Sequence, residues 1–360
     1  MRILIITSFS FEKYGGAGVV VDNLMKEYRK HGHETEIISL ESFGFGKFGR
    51  FFGQFFDVFN PKAVNFLKKE VKKTKPDFVH IHNVHKNISA FSVRSIALTG
   101  TPVIVTLHEF WALCPGFNFE NGRNEKIICR KTMTKELPVF FRNFLIRKFL
   151  SYADYIFVPS DFARNKFLEY GYSKDKVKRI YNGVDLKKFT PEKEKKMSEK
   201  IKIIFVGRPT KKKGVEWLKE VFNKLKSEKL PVELEIIGGE NEVKYDELPK
   251  HYQDADVCVQ PSLVHETFGL TLVEAMACGL PVIASNMGGM PEILGDDGVV
   301  VKPGDFGELE SALKDLILSA EKRMILGRKG RDRVEKKFSW EMAGKEYLKF
   351  IENIVSQKNT

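Results

Sequence analysis

Residues 265–285 read HETFGLTLVEAMACGLPVIAS: a loop, a helical run followed by a glycine, and the apolar strand LPVIAS. A helix leading straight into a short apolar strand is the repeating unit of a parallel sheet covered by helices. Glu266 and Glu274 stand eight positions apart in this stretch, with Gly269 between them. Three readings fit the residues: a core helix, a pair of carboxylates for acid/base work, or a pocket for an anionic ligand.

Working outward, the same alternation recurs on both sides. KIIFVGR (202–208), VELEIIGG (232–239), DVCVQPS (256–262) and GVVV (298–301) read as strands around the opening stretch, with helices between most of them. Earlier in the chain, RILIITS (2–8), ETEIISL (34–40), DFVHIHN (77–83), PVIVTLHE (102–109) and YIFVPS (155–160) form a first series. VVVDNLMKEYRKHG is apolar at helical spacing and closes on Gly32. Strands alternating with helices predict parallel sheets buried on both faces. The charged, aperiodic EKEKKMSEK, within a linker at about 186–200, separates the two series. At 360 residues the chain exceeds the usual single domain. The expected fold is therefore α/β, with two doubly wound domains in tandem and a ligand cleft where their strands end. SWEMAGKEYLKFIENIVSQ reads as a long terminal amphipathic helix.

Composition is that of an ordinary globular chain, 42% hydrophobic and 29% charged. No run of eighteen apolar residues predicts a membrane-spanning helix. MRILIITSFS runs directly into glycines and reads as a first strand rather than a secretion signal. Four irregularly spaced cysteines, without a CxxC pair, indicate neither a zinc site nor a disulfide framework and suit the cytoplasm. The net charge of +12 is uneven: residues 1–190 carry 31 Lys and Arg against 18 Asp and Glu, and residues 191–360 carry 28 against 29. That asymmetry points to an anionic partner met by the first half, either nucleic acid or an acidic membrane surface.

Several short motifs sit where strands end. YGGAG (14–18) lies between the first strand and first helix, where Gly15 and Gly16 leave backbone N–H groups open to a ligand. It is not the GxGxxG fingerprint, and no GxxxxGK[ST] phosphate loop occurs, against an ATPase or GTPase. VHIHNVH (79–85) puts His80 and His82 on one strand face, but no carboxylate or cysteine nearby completes a metal shell. DAD (254–256) precedes a strand and is not expected to hold metal either. VTLHEFW places His108 at a strand end, and VGRPTKKKG supplies Arg208 and Lys213 across a turn closed by Gly214, a pattern suited to a diphosphate. In the opening stretch a helix starting near Gly269 aims its first N–H groups at an anion. Glu274 lies little more than a turn inside, with Glu266 on the loop before it, so both reach one ligand.

The ordered set GG, TLHE, NGVD, VGRPTKKKG, ETFGLTLVEAMACGLPVIAS and GGMPEIL resembles retaining glycosyltransferases of family 4, which have the GT-B fold of two Rossmann-like doubly wound domains facing across a cleft. The resemblance covers nearly the whole chain and rests most on the spacing from Glu266 to Glu274 followed by GLPVIAS. It implies an N-terminal acceptor-side domain over 1–187, a nucleotide-sugar-binding domain over 200–338, and a C-terminal helix over 339–360 crossing back to the first domain. It implies transfer of a sugar from a nucleotide sugar such as a UDP- or GDP-sugar to a glycan or lipid-linked acceptor, in cell-surface polysaccharide or glycolipid synthesis. Configuration would be retained, with no bound metal or other cofactor. By position, Arg208 and Lys213 would hold the diphosphate, Glu274 the ribose hydroxyls, and Glu266 hydroxyls of the sugar. The backbone at Thr267, Phe268, Gly269 and Leu270 would line the donor site, His108 would lie near the reacting centre, and Gly15 and Gly16 would admit donor and acceptor. Fixed cations and a helix N-terminus aimed at the leaving diphosphate make a metal dispensable. Thr267 stands where the family often has glycine, and the short segment between IIGGE and HYQDADV leaves the base-binding wall open. The alternative is a non-catalytic or epimerase-type GT-B protein that binds sugar nucleotides.

Two basic, aromatic stretches remain: residues 43–69, with nine phenylalanines, and PVFFRNFLIRKFL (138–150). They read either as core helices flanked by solvated charge or as interfacial elements on an anionic membrane. The second reading places the protein peripherally at the inner face of the cell membrane. No nucleic-acid reader module is present, so no nucleic-acid partner is expected.

Overall fold

The structure is a computed structural model that describes residues 1–8, 15–40, 55–85, 87–115, 120–121, 127–128, 136–192 and 199–358. It divides into two compact units, Met1–Tyr181 with Trp340–Thr360, and Asn182–Ser339. Residues 43–54 of the Phe-rich stretch 43–69, including Phe51 and Phe52, and residues 193–198 of the charged linker lie outside the described residues.

The first unit is built on a six-stranded parallel sheet. Its strands are β1 (Arg2–Thr7), β2 (Glu34–Ser39), β3 (Phe78–His82), β4 (Val103–Thr106), β7 (Tyr155–Val158) and β8 (Val177–Arg179), in the order β2-β1-β3-β4-β7-β8. A two-residue antiparallel pair, β5 (Glu120–Asn121) with β6 (Ile127–Ile128), stands apart. β1 is buried at five of its six positions and β3 and β4 throughout, which is why β1 and β4 read as apolar runs; in β3 the buried positions include His80 and His82. Helices cover the sheet, and the terminal helix Trp340–Lys358 lies against the Gly16–Lys30 helix of the same unit. Closeness there depends on Gly344, where a Cβ would come within 2.8 Å of the Glu27 side chain.

The second unit has a five-stranded parallel sheet. Its strands are β9 (Ile201–Val206), β10 (Val232–Ile237), β11 (Val257–Gln260), β12 (Val282–Ser285) and β13 (Val299–Val301), ordered β10-β9-β11-β12-β13. In both sheets the second strand goes to one side of the first and the third to the other. The side on which strands are added therefore switches between β1 and β3, and again between β9 and β11. Loops diverge at such a switch point and leave a crevice at the carboxyl ends of the strands. Asn182–Phe189 belongs to this unit: Phe189 is fully buried, and Arg331 donates to its carbonyl at 2.7 Å.

Among the described residues no helix is long and apolar enough to cross a membrane. Cys114 forms a disulfide, while Cys258 and Cys278 are buried free thiols. Cysteine spacing alone gave no sign of that bridge, because pairing depends on how loops bring two Cα atoms together.

Candidate functional site

In the second unit the loops after β9 and β11 meet at the switch point. After β9 the chain turns through Gly207 and Arg208 into a short 3-10 turn, Lys211–Lys213, which Gly214 ends with φ +73°. Glycine is required there, because a Cβ would lie 1.8 Å from the carbonyl oxygen of Pro261. The close approach lets Leu263 N–H donate to the Lys212 carbonyl at 2.8 Å and fixes one loop on the other. Below them, the Gln260 amide donates to the Val206 carbonyl at 2.9 Å and ties the two strand ends together.

On this frame Lys213 Nζ lies 2.6 Å from Glu266 Oε1 in a half-buried ion pair. The Ser262 hydroxyl donates to the same oxygen at 2.9 Å. Glu266 is also held through its backbone: its carbonyl accepts from Gly289 N–H at 2.8 Å, and the loop after β12 lies across it at Gly288. A Cβ on Gly288 would fall 2.1 Å from that carbonyl oxygen, which explains the first glycine of GGMPEIL. The Arg208 side chain is exposed on the loop after β9, so it is accessible to an anion from solvent.

Gly269, at φ +104°, caps the helix Leu270–Ala277 and turns the chain into it. Thr267 and Leu270 are half-buried, whereas the Phe268 side chain is buried against Phe338, with ring centroids 5.9 Å apart. Phe268 therefore contributes only backbone to any ligand site. Glu274 is 4% exposed. The Tyr252 hydroxyl donates to its Oε2 at 3.2 Å, and the Tyr245 hydroxyl also hydrogen-bonds it. Burial raises the Glu274 carboxyl from 4.5 to about 7, partly offset by the two tyrosines and by Lys188. Lys188 is anchored to Asp246 at 2.5 Å and sits 4.0 Å from the Tyr245 ring centroid. Glu274 is thus a carboxyl balanced between protonated and ionised near neutral pH, an acceptor whose occupancy a hydroxyl donor can change.

Sequence patterns gave no signal for Ser262, Tyr245, Tyr252 or Lys188, because each acts on its glutamate, by hydrogen bond or by charge, across 4 to about 90 residues of unrelated chain. Asp256 of the DAD motif accepts from Lys202 N–H at 2.8 Å, at the start of β9 and β11, the end opposite the loops.

In the first unit, His108 follows β4 by two residues and is buried, with its N–H donating to the Asn83 side chain at 3.0 Å. Asn83 follows β3 with φ +55°, a left-handed conformation that asparagine adopts more readily than most side chains. His108 Nε2 lies 2.9 Å from His82 Nδ1, with the rings stacked. The His80 ring lies against His82, centroids 4.0 Å apart and tilted by 35°, with Tyr28 and Thr106 on its two nitrogens at 3.1 and 2.8 Å. Burial drives all three imidazoles below their ordinary value, His108 to about 4, so all three are neutral at pH 7. His82 Nε2 is buried without a partner. An orphaned N–H is costlier to the fold than an orphaned acceptor, which puts the His82 proton on Nδ1, donated to His108 Nε2. His108 then carries its own proton on Nδ1. Among the described residues no three His, Cys, Asp or Glu are placed to share a metal ion. Gly15 caps the Gly16–Lys30 helix; both glycines are exposed, and a Cβ on Gly15 would meet nothing within 4 Å. No contact among the described residues therefore demands glycine at position 15.

Comparison with known proteins matches these features to one family. The profile described as Glycosyltransferase Family 4 matches residues 14–188, and that described as Glycosyl transferases group 1 matches residues 200–319. Sulfoquinovosyl transferase SQD2 of Arabidopsis thaliana is 30% identical over 305 residues, covering 76% of this chain and 56% of its own length. The chain thus spans little more than half of that relative. Sucrose-phosphate synthase from Thermosynechococcus elongatus superposes with a TM-score of 0.77 at 19% identity, over 99% of both chains. Anabaena Alr3699/HepE, solved with UDP and glucose, gives 0.68 at 16% identity over 97% of this chain and 99% of its own. With both halves matched in order and the fold shared along the whole length, this chain belongs to family 4 of the glycosyltransferases and has the GT-B fold.

Proposed function

We propose that the protein transfers a hexosyl group from a nucleotide sugar to a glycan or lipid-linked acceptor, with retention and without a metal. The observation that carries this is the Lys213–Glu266–Ser262 cluster at the switch point between β9 and β11, with Arg208 exposed on the same loop. An ammonium and a carboxylate 2.6 Å apart mark a place where phosphate and sugar hydroxyls can bind side by side. Arg208 and Lys213 then offset charge as the diphosphate leaves, in a geometry fixed before reaction by Gly214 and Gly288. Glu266 accepts from sugar hydroxyls, and Ser262 holds it in place. Glu274 accepts from ribose hydroxyls, and Tyr245 and Tyr252 keep one of its oxygens engaged. His108, neutral and hydrogen-bonded to His82, acts as a hydrogen-bonding group rather than as an acid. The UDP and glucose held by a protein of the same fold support a nucleotide-sugar donor. The basic, aromatic character of the first unit supports an anionic membrane surface as the place of work, with the protein peripheral on its cytoplasmic side.

Incubation of the full chain with labelled UDP-, GDP- and ADP-sugars and a membrane extract as acceptor source tests the proposal. One donor should label the lipid or glycan fraction in the wild type, and Lys213→Ala and Glu266→Ala should abolish it. Full transfer by both variants would refute the site assignment.

A further inference from the structure

The first unit carries a cavity of about 290 Å³ that the transfer reaction does not use. It lies at the C-terminal end of the helix Glu136–Leu150, between that helix and the turn that leads into β8. Phe144, Arg147, Lys148, Tyr172, Ser173 and Lys176 are among its lining residues. Three of these are cations. Arg147 is aimed by a bond to the Tyr170 carbonyl at 2.8 Å, and Lys176 by one to the Ala153 carbonyl at 2.7 Å. Among the described residues no carboxylate pairs with Arg147 or Lys148. Tyr172 is 7% exposed, yet its hydroxyl has no hydrogen-bond partner. Leaving such a group unsatisfied costs about 1–3 kcal/mol, so the fold alone would be served better by phenylalanine.

The surface around this cavity is unusual. Arg142, fully paired with Asp57 at 2.7 Å, together with Ile146 and Leu150 fixes one face of the helix in the core. The opposite face leaves Phe140 72%, Phe141 59% and Phe144 43% exposed; Phe144 lies one turn beyond the adjacent pair and one turn before Lys148, so the four share one face. Tyr152 and Tyr170 are exposed as well. Cations at the end of a helix also suit its dipole, but that role explains neither three exposed phenylalanines nor a buried hydroxyl without a partner.

We propose that this cavity binds the phosphate of an anionic glycerophospholipid in a bilayer. Arg147, Lys148, Lys176 and the Tyr172 hydroxyl hold the phosphate, and Phe140, Phe141 and Phe144 enter the acyl boundary beside it. Aromatic bodies below and cations at headgroup height are the arrangement that interfacial binding requires. The inference rests on the reading that the chain works at an anionic membrane, and it is independent of the donor site.

Co-sedimentation of the full chain with phosphatidylglycerol/phosphatidylcholine vesicles, against phosphatidylcholine alone, tests it. The wild type should bind the anionic vesicles. Lys148→Gln should weaken binding about fivefold, the share of one cation near such a surface. Phe140→Ser with Phe141→Ser should weaken it at least as much. Tyr172→Phe should lower vesicle affinity several-fold while its melting temperature without lipid stays equal or rises, a pair of results that a purely structural tyrosine would not give. If the wild type ignores anionic vesicles, both the membrane reading and the cavity assignment fall, and nucleotide-sugar binding remains to be judged separately. Binding by Lys148→Gln and Tyr172→Phe as tight as wild type would overturn the cavity and leave the membrane reading standing. Soluble dihexanoylphosphatidylglycerol should bind more tightly than glycerol 3-phosphate or inorganic phosphate. Equal affinities would make this a free-phosphate site and overturn the lipid assignment.

Discussion

Glu274→Gln separates the cost of a buried carboxylate from the cost of losing it. The Glu274 carboxyl moves from 4.5 to about 7 on folding, chiefly through burial. A raised acid holds more protons folded than unfolded between those values, so its contribution to stability is fully present below pH 4.5 and is lost as pH rises through 7. A span of about 2.5 pH units at 1.36 kcal/mol each amounts to roughly 3.4 kcal/mol. Glutamine is isosteric, cannot titrate, and still accepts one tyrosine hydroxyl through its amide oxygen. Its stability relative to wild type should therefore improve by about 3 kcal/mol between pH 4.5 and pH 8, whatever constant offset the amide introduces. Trp217 is buried in the second unit, whereas the other tryptophans, Trp111 and Trp340, belong to the first. Urea unfolding followed by Trp217 fluorescence in a Trp111→Phe, Trp340→Phe background thus reads this unit alone. An equal difference between Glu274→Gln and its parent at both pH values would refute the assignment. The same balance makes donor binding pH-dependent, since ribose hydroxyls stabilise the ionised carboxylate: wild-type affinity for the nucleoside diphosphate should rise through pH 7, and that of Glu274→Gln should not.

Three further outcomes follow from the geometry. Gly214→Ala should lose donor binding and destabilise the second unit by at least the roughly 1–2 kcal/mol of a left-handed non-glycine residue, because its Cβ would strike the Pro261 carbonyl; calorimetry that leaves both unchanged contradicts the loop account. Asp57→Asn should destabilise the first unit by about 3–5 kcal/mol, since it strands the 2%-exposed Arg142 without its charge partner; a thermal melt within a degree of wild type would contradict this. His108 belongs to a neutral cluster whose depressed values make stability fall as pH drops from 6.5 towards 4, by up to roughly 3 kcal/mol for His108 alone; His108→Gln should flatten that limb in acid-unfolding curves, and a limb of unchanged steepness would count against it.

Much of this was legible in the residues themselves. Apolar runs such as ILIIT and IIFV are strands because parallel sheets bury both faces, and the glycines at 214, 269 and 288 sit where φ or a neighbouring backbone requires them. The order of motifs along the chain gave the family. β8 escaped notice because VKR is three residues at a sheet edge, with too few positions for a pattern. What no periodicity could show is which side chains meet. Lys213 and Glu266, read separately as phosphate and sugar ligands, prove to be partners across 53 residues. The environment of Glu274 comes from Tyr245, Tyr252 and Lys188, none of which carries a motif. Likewise His80 and His82 read as neighbours on one strand face without a metal partner, and only the fold brings His108 from beyond the next strand to stack on and hydrogen-bond His82.

On the proposed function, Arg208 and Lys213 recognise the diphosphate of a sugar nucleotide. Thermal unfolding of the full chain with UDP, GDP and ADP, each against its monophosphate, tests it most directly. A ligand at a hundred times its dissociation constant stabilises by about 2.7 kcal/mol, which for a unit of this size is roughly 5–10 °C. One diphosphate should raise the unfolding temperature well beyond its monophosphate, and the increment should vanish in the Arg208→Ala, Lys213→Ala double variant. Equal shifts for diphosphate and monophosphate, or an increment that survives the double variant, would contradict the account.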